Sequence, residues 1–155
     1  MDEPDQLKPL DPAYVAVLRI GAAIFAAIPL IGALILETAQ LTATGMFIIP
    51  VAFLAAWFVI FVPSRRYARW HYALGADRLR IVRGYLFYSD TVVPLGRIQH
   101  IDVHQGPITR RYDLATLTVH TAGNHNSSVS LPGLRHEDAV EMREAIREYI
   151  KAAQA

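Results

Sequence analysis

Three polar side chains alternate along one predicted strand and are the residues best placed to do chemistry: His100, Asp102 and His104. Alternate residues of a strand point to one face, and His120 on a later predicted strand could join them. Imidazole and carboxylate groups bind Zn²⁺ and similar ions. An exposed polar face of a half-buried sheet gives the same pattern without any ligand. Because the chain has no cysteine, and no further carboxylate cluster lies nearby, we predict no metal site.

A catalytic dyad of His100 and Asp102 would need a nucleophile. Cysteine is absent, and the serines at 127, 128 and 130 follow a plain strand pattern without the sharp turn of a nucleophile elbow. The glycine-rich loops that bind nucleotide phosphates are also absent from the sequence. We therefore predict no enzymatic activity, no catalytic residue and no cofactor, and we find no support for nucleic-acid binding.

One group of basic and aromatic residues follows the second of two apolar stretches, and its members are candidates for facing membrane lipid: Arg65, Arg66, Arg69, Trp70, Arg78 and Arg80. A cation near an anionic leaflet gains about 1 kcal/mol. Arg78 and Arg80 lie two residues apart, which puts them on one strand face. The alternative for the first three arginines, that they only determine topology, remains open.

A second basic group, Arg110, Arg111 and Tyr112, follows the break at Gly106-Pro107. Exposed loops that combine arginine with tyrosine are frequent contact sites for partners. The three residues are therefore candidates for a partner-binding loop. A structural turn with Tyr112 in the core is the open alternative.

The elements that must position these groups include two long uncharged stretches, residues 20–36 and 38–64. A bilayer core of about 30 Å needs about 20 apolar residues as helix. Segment 42–62 meets that length, and the first stretch extends back to Val15 if the Arg19 side chain reaches the interface. The pattern predicts a hairpin of two transmembrane helices.

Small residues at four-residue spacing, such as Ala22 with Ala26 and Ala52 with Ala56, allow close helix packing in lipid. They could pack on each other or against a neighbouring membrane protein. Pro29 and the proline at position 50 are expected well inside the spans, where each would kink its helix.

The flanking charges predict the orientation of this hairpin. Residues 1–13 are acidic and proline-containing, unlike the basic start of a signal peptide, and we predict a flexible lead. Basic residues follow the second span, whereas the short connection at 37–45 has no Lys or Arg. The positive-inside rule then places both termini in the cytoplasm and the connection between the helices outside.

Beyond Trp70 the hydrophobic period changes to two, which is typical of strands. The segments that alternate in this way are 69–74, 78–83, 85–95 with a break near Ser89-Asp90, 98–104, 114–121 and 127–131. A polar turn is expected at 122–126. The tail 136–153 instead has apolar residues every three or four positions, which predicts an amphipathic helix. Bent antiparallel sheets or a partly open barrel, capped by this helix, would bury both faces.

Three stretches carry a family resemblance: Tyr72–Gly84, the more specific Val93–Leu117, and Leu131–Leu134 before the helix. Together with the spans, they resemble the YdbS-like bacterial pleckstrin-homology (PH) family. The resemblance implies a membrane-tethered PH-like domain with two bent sheets and a capping helix, and it supplies no catalytic residue or cofactor. Family members are linked to envelope defence alongside a larger relative with repeated domains.

The sequence thus predicts a lead at 1–13, a transmembrane hairpin at 14–63 and a cytoplasmic PH-like domain at 64–155. We expect a membrane-anchored, non-enzymatic interaction module whose domain binds a protein partner. A larger membrane protein of the same family and a second copy of the chain are the candidate partners. The alternative function is binding of anionic membrane lipid through the basic residues.

Overall fold

The computed structural model describes residues 6–39, 45–85, 87–122 and 128–154. The chain divides into two compact units. One is helical and runs from Val15 to Tyr67. The other is rich in strands and combines the residues up to Tyr14 with those from Ala68 onward. The helical unit is therefore inserted within the sequence of the strand-rich unit.

The helical unit contains α1 (Tyr14–Thr38) and α2 (Ile48–Tyr67), of 25 and 20 residues. At 1.5 Å per residue, the shorter helix is about 30 Å long. Both helices are long and apolar enough to cross a bilayer. Large apolar side chains such as Phe25 and Phe53 are exposed on them, which is favourable in lipid and unfavourable in water. The predicted pair of apolar helices is confirmed.

Details of this unit differ from the prediction. The proline at position 50 lies in the first turn of α2, where no helical hydrogen bond is lost, because the helix begins only at Ile48. Pro63 lies inside α2 instead, and Ser64 to Tyr67 continue the helix beyond the predicted end of the hairpin. Ala26 is buried within the unit, which favours internal packing for its row of small residues.

The strand-rich unit contains two antiparallel sheets and the helix that follows them. The four-stranded sheet has the order β1 (Lys8–Pro9), β2 (His71–Leu74), β3 (Arg78–Gly84), β4 (Tyr88–Pro94). The three-stranded sheet has the order β5 (Ile98–His104), β6 (Leu114–Thr121), β7 (Ser128–Arg135). A 3₁₀ turn (Leu95–Arg97) joins the sheets, α3 (Pro107–Arg111) connects β5 to β6, and α4 (His136–Gln154) ends the fold. This is the predicted fold class.

The core forms where the apolar faces of both sheets meet the apolar stripe of α4. The strands contribute side chains with almost no exposure: Leu79, Ile81, Leu114, Leu117, Val119, Leu131 and Leu134. From α4, Ala139, Met142 and Ile146 are buried, at the three- and four-residue spacing of one helix face. Full burial of a Leu or Ile side chain contributes about 1.5–3 kcal/mol. Burial of these faces holds the two sheets and α4 together.

Residues 8–14 do not behave as the flexible lead that the sequence predicts. β1 pairs with β2, and the side chain of Leu10 is 1% exposed. The Asp11 backbone N–H donates to the Gly133 carbonyl at 2.9 Å. Nε of Arg135 donates to the Asp11 carboxylate at 3.0 Å. Burial of one leucine and these contacts fix the segment to the strand-rich unit.

Two strand boundaries also differ. β4 runs unbroken through Ser89-Asp90, because Ser89 and Asp90 pair in register with residues of β3. β7 continues through Pro132-Gly133 to Arg135, with Gly133 at a φ of 70° that glycine adopts readily. The polar turn predicted at 122–126 lies, apart from its first residue, outside the described residues.

Candidate functional site

His100, Asp102 and His120 form a cluster on the three-stranded sheet, whereas His104 lies opposite Thr116. His100 and His120 are directly opposite each other on β5 and β6. The Asp102 carboxylate lies 2.9 Å from Nε2 of His100 and 3.3 Å from Nε2 of His120. Each imidazole thus contacts one oxygen of the same carboxylate. Within the described part of the chain, no group of three or more His, Cys, Asp or Glu could hold a metal ion.

Two of the predicted lipid-facing residues, Arg78 and Arg80, form ion pairs with nearby carboxylates. Arg80 binds Asp90 through two nitrogens, with Nε 3.0 Å from Oδ1 and Nη2 2.6 Å from Oδ2. This hydrogen bonding holds the pKa of the Asp90 carboxyl below its ordinary range. Arg78 lies 3.3 Å from the Asp77 carboxylate. Both arginines therefore have a carboxylate partner within the strand-rich unit, which weakens the expectation that they bind lipid.

Arg69 and Trp70 lie in a different environment, beside the hairpin that joins β3 to β4. Nη1 of Arg69 is 3.5 Å from the Tyr85 carbonyl oxygen, a long hydrogen bond. The Arg83 guanidinium lies 5.9 Å from the centre of the Trp70 ring, within the range of a cation–π interaction. Arg65 and Arg66 are exposed in the last turn of α2.

A shallow cavity of about 350 Å³ opens beside this hairpin. Its lining residues come from the start of β2, the ends of β3 and β4 and the segment before β2: Ala68, Arg69, His71, Val82, Gly84, Tyr85 and Tyr88. Gly84 is required here, because a Cβ at this position would lie 2.9 Å from Tyr88 Cα. Among these described lining residues none is acidic.

The tip of the same hairpin carries exposed aromatic side chains. Gly84 of β3 pairs with Tyr88 of β4, and Tyr85 and Phe87 lie between the two strands in the sequence. Phe87 is 87% exposed and Tyr88 is 75% exposed, and Tyr85 is exposed as well. Sequence reasoning missed this feature, although the signal was present: Tyr85 and Phe87 lie directly before β4, where turns are ordinarily polar.

The Arg110-Arg111-Tyr112 group lies on and directly after the short helix α3. Pro107 begins this helix and Arg111 ends it. Both arginines are exposed, and Tyr112 is 37% exposed, so the Tyr112 side chain is partly packed against the domain and partly open to solvent. Asp113 has a φ of 54°, which reverses the chain so that the next residue, Leu114, enters the core.

Two grooves run beside α4. One, of about 480 Å³, is lined by Tyr72 of β2 and by acidic residues of α4, Asp138 and Glu141. Burial, and secondarily the charge of Asp138, raises the pKa of the Tyr72 phenol above its ordinary value. The other groove, of about 290 Å³, lies between β5 and α4 and includes Ile101 and Ile150.

Two apolar helices and a strand-rich domain with a C-terminal helix define a class of small membrane proteins with a PH-like domain. A family model described as a bacterial PH domain matches residues 15–150. The chain therefore belongs to the bacterial PH domain family, as the sequence resemblance predicted.

Known proteins with similarity to the chain include UPF0699 transmembrane protein YdbS of Bacillus subtilis (strain 168). The two are 33% identical over 88 residues, which cover 57% of this chain and 54% of the relative. The match thus spans about half the length of that curated relative. A crystal structure of a DUF1696 family protein with a pleckstrin-homology domain, from Shewanella loihica PV-4, has a TM-score of 0.42 and 18% identity, covering 55% of this chain and 74% of that one.

Proposed function

We propose that this protein is a membrane-anchored, non-enzymatic interaction module whose PH-like domain binds a protein partner at the cytoplasmic face of a bacterial inner membrane. The observation that carries the proposal is the exposed surface on and directly after α3, where Arg110, Arg111 and Tyr112 lie. Arginine and tyrosine are enriched among the residues that dominate binding energy at interfaces.

The position of α3 supports a docking role. It lies at the turn between β5 and β6, outside the core, and its first residue is a proline that fixes the start of the helix. A rigid short helix loses little conformational entropy when a partner binds. A larger membrane protein of the same family and a second copy of the chain remain the candidate partners.

The anchor supports the membrane location and the orientation. Tyr14 and Ala68, at the two ends of the hairpin, both belong to the strand-rich unit. A chain that leaves this unit through one helix and returns through the other keeps both ends on one side of a bilayer. The arginines at 65, 66 and 69 favour the cytoplasm as that side.

The test is gentle detergent extraction of the tagged full-length protein from its native membrane, followed by mass and composition analysis. A stoichiometric protein partner is expected with the wild type. It should be lost from a variant that combines Arg110→Ala, Arg111→Ala and Tyr112→Ala. The control is Arg97→Ala, at an exposed arginine outside α3, which should retain the partner. A wild-type protein that emerges alone contradicts the proposal.

The second candidate function is contact with anionic lipid, favoured by Arg65, Arg66, Arg69 and Trp70. These residues end α2 or follow it within three positions in the sequence. Salt-sensitive binding of the protein to anionic bilayers, lost on Arg→Ala substitution at 65, 66 and 69, would support it. Equal association with anionic and neutral bilayers would remove it.

A further inference from the structure

The β3–β4 hairpin combines three features that together indicate a ligand. Its tip exposes aromatic rings, its flank contains an open cavity, and the cavity is lined by basic side chains. We propose that this hairpin is a lipid contact. In this proposal, the cavity takes the phosphate of an anionic phospholipid while the Phe87 ring enters the boundary between headgroups and acyl chains. The inference rests on the membrane location proposed above but not on the protein partner.

The aromatic side chains at the tip of the hairpin form an exposed apolar surface. Phe87 is 87% exposed, Tyr88 is 75% exposed and Tyr85 is 38% exposed. Exposed apolar surface of this kind is unfavourable in water and marks a contact site. Tyrosine and tryptophan concentrate at the level of lipid headgroups, because the ring is apolar and the polar group can remain hydrated. The tip therefore has the composition of an interfacial anchor.

The cavity beside the hairpin contains side chains that can bind phosphate. Arg69 and His71 line it together with the rings of Tyr85 and Tyr88. A guanidinium can donate two parallel hydrogen bonds to phosphate oxygens, and the hydroxyl of a tyrosine can donate another. Arg83 on β3 is exposed but is not one of the residues that line the cavity. Since the described lining residues include no carboxylate, the site favours an anion over a cation.

The helix α2 tethers Arg69, and with it the cavity, close to the bilayer. Arg69 is the second residue after the end of α2, so a fully extended chain separates them by about 7 Å. A helix that spans the membrane therefore keeps the Arg69 side chain at a high local concentration of headgroups. A weak phosphate contact suffices under these conditions, which is consistent with a shallow cavity. The bilayer is thus the occupant that the position in the sequence favours.

The test uses the absence of native cysteine. The full-length Ser89→Cys variant, labelled beside the tip with an environment-sensitive fluorophore, leaves the three rings in place. It is reconstituted in nanodiscs of phosphatidylcholine with or without phosphatidylglycerol. Quenching by nitroxide-labelled lipid should be strong in the anionic discs and weaker in the neutral ones. A Glu148→Cys label, at an exposed position on α4, should stay unquenched in both.

Second substitutions in the labelled Ser89→Cys variant identify the residues that bind the lipid. Arg69→Gln should lower the ratio of docked to undocked hairpin about fivefold in anionic discs, and Arg69→Lys should retain most of it. Phe87→Ser should lower quenching in both kinds of disc, whereas Arg97→Gln should have no effect. Unchanged thermal unfolding of each variant excludes misfolding as the cause.

Three outcomes would overturn the inference. Equal quenching of both labels would show general proximity to the bilayer instead of a built site. Release of the tip at constant ionic strength by micromolar inorganic phosphate, far below the headgroup concentration at the bilayer, would show that the cavity prefers free phosphate to lipid. A tip label that remains in water in anionic discs would assign the aromatic surface to a protein partner. Failure to incorporate into nanodiscs is a separate result, and it would contradict the membrane location itself.

Discussion

At the scale of single residues, Gly133 shows how tightly the N-terminal segment is fitted to β7. Its φ of 70° disfavours any side chain, and an added Cβ would lie 2.6 Å from the ring of Tyr14. We predict that Gly133→Ala destabilises the strand-rich unit by about 2–4 kcal/mol through backbone strain and overpacking. Chemical unfolding in mild detergent measures the effect. Gly96→Ala is the control, since its Cβ would meet no atom within 4 Å.

The Arg80–Asp90 pair predicts a pH dependence. Hydrogen bonding to Arg80 lowers the pKa of Asp90 in the folded state. Its contribution is therefore present above the pKa of the unfolded chain, near 4, and is lost as pH falls through the lower folded value. Asp90→Asn should lose less stability than the wild type over that acidic interval, measured as unfolding free energy against pH. Arg80→Gln should flatten the profile in the same direction, and parallel profiles would contradict the assignment.

Part of the candidate site could be predicted from residue types alone. The alternation of His100 and Asp102 on one strand was readable, and so was the exposure of arginines after Gly106-Pro107. The pairing of Arg80 with Asp90 was not, because it depends on the register between β3 and β4. The spacing of residues along one strand predicts which face of the sheet a side chain occupies. It does not predict the side chain that it contacts on the neighbouring strand.

At the scale of elements, β1 and the residues after it act as part of the domain. The Leu10 side chain is buried, while Leu7 is 41% exposed. We predict that Leu10→Ala destabilises the strand-rich unit by about 2–5 kcal/mol, the usual cost of a cavity in a core. Leu7→Ala should change stability by less than about 1 kcal/mol. Limited proteolysis and thermal unfolding of the full-length protein in detergent compare the two, and equal effects would contradict the assignment.

Elements with sustained periodicity were predictable, and the isolated ones were not. The boundaries of β5 and β6 match the alternating segments, and α4 extends one residue beyond the amphipathic tail. β1 has two residues and pairs with a strand more than 60 positions later in the sequence. A strand of two residues is too short to show an alternating pattern in the sequence. It is recognised only from its pairing with β2.

At the scale of the whole molecule, the domain is discontinuous in sequence. The hairpin of α1 and α2 is inserted between β1 and β2. Contacts of Asp11 with Gly133 and Arg135 then require the N-terminal segment and the later strands to share one aqueous compartment. In the topology that we propose, this constraint requires an even number of membrane crossings, and the flanking charges predict the side.

Single-cysteine labelling tests this topology, because the natural chain contains no cysteine. Gln6→Cys and Ala152→Cys place thiols at exposed positions near the two ends, and Met46→Cys places one in the connection between the helices. In intact bacterial spheroplasts, a membrane-impermeant maleimide should label Met46→Cys only. After permeabilisation all three should react. Labelling of the two terminal positions but not of Met46→Cys would indicate the opposite orientation, with both ends still on one side of the membrane. Labelling of one terminal position but not the other would break the shared compartment, and with it the assignment of β1 to the sheet.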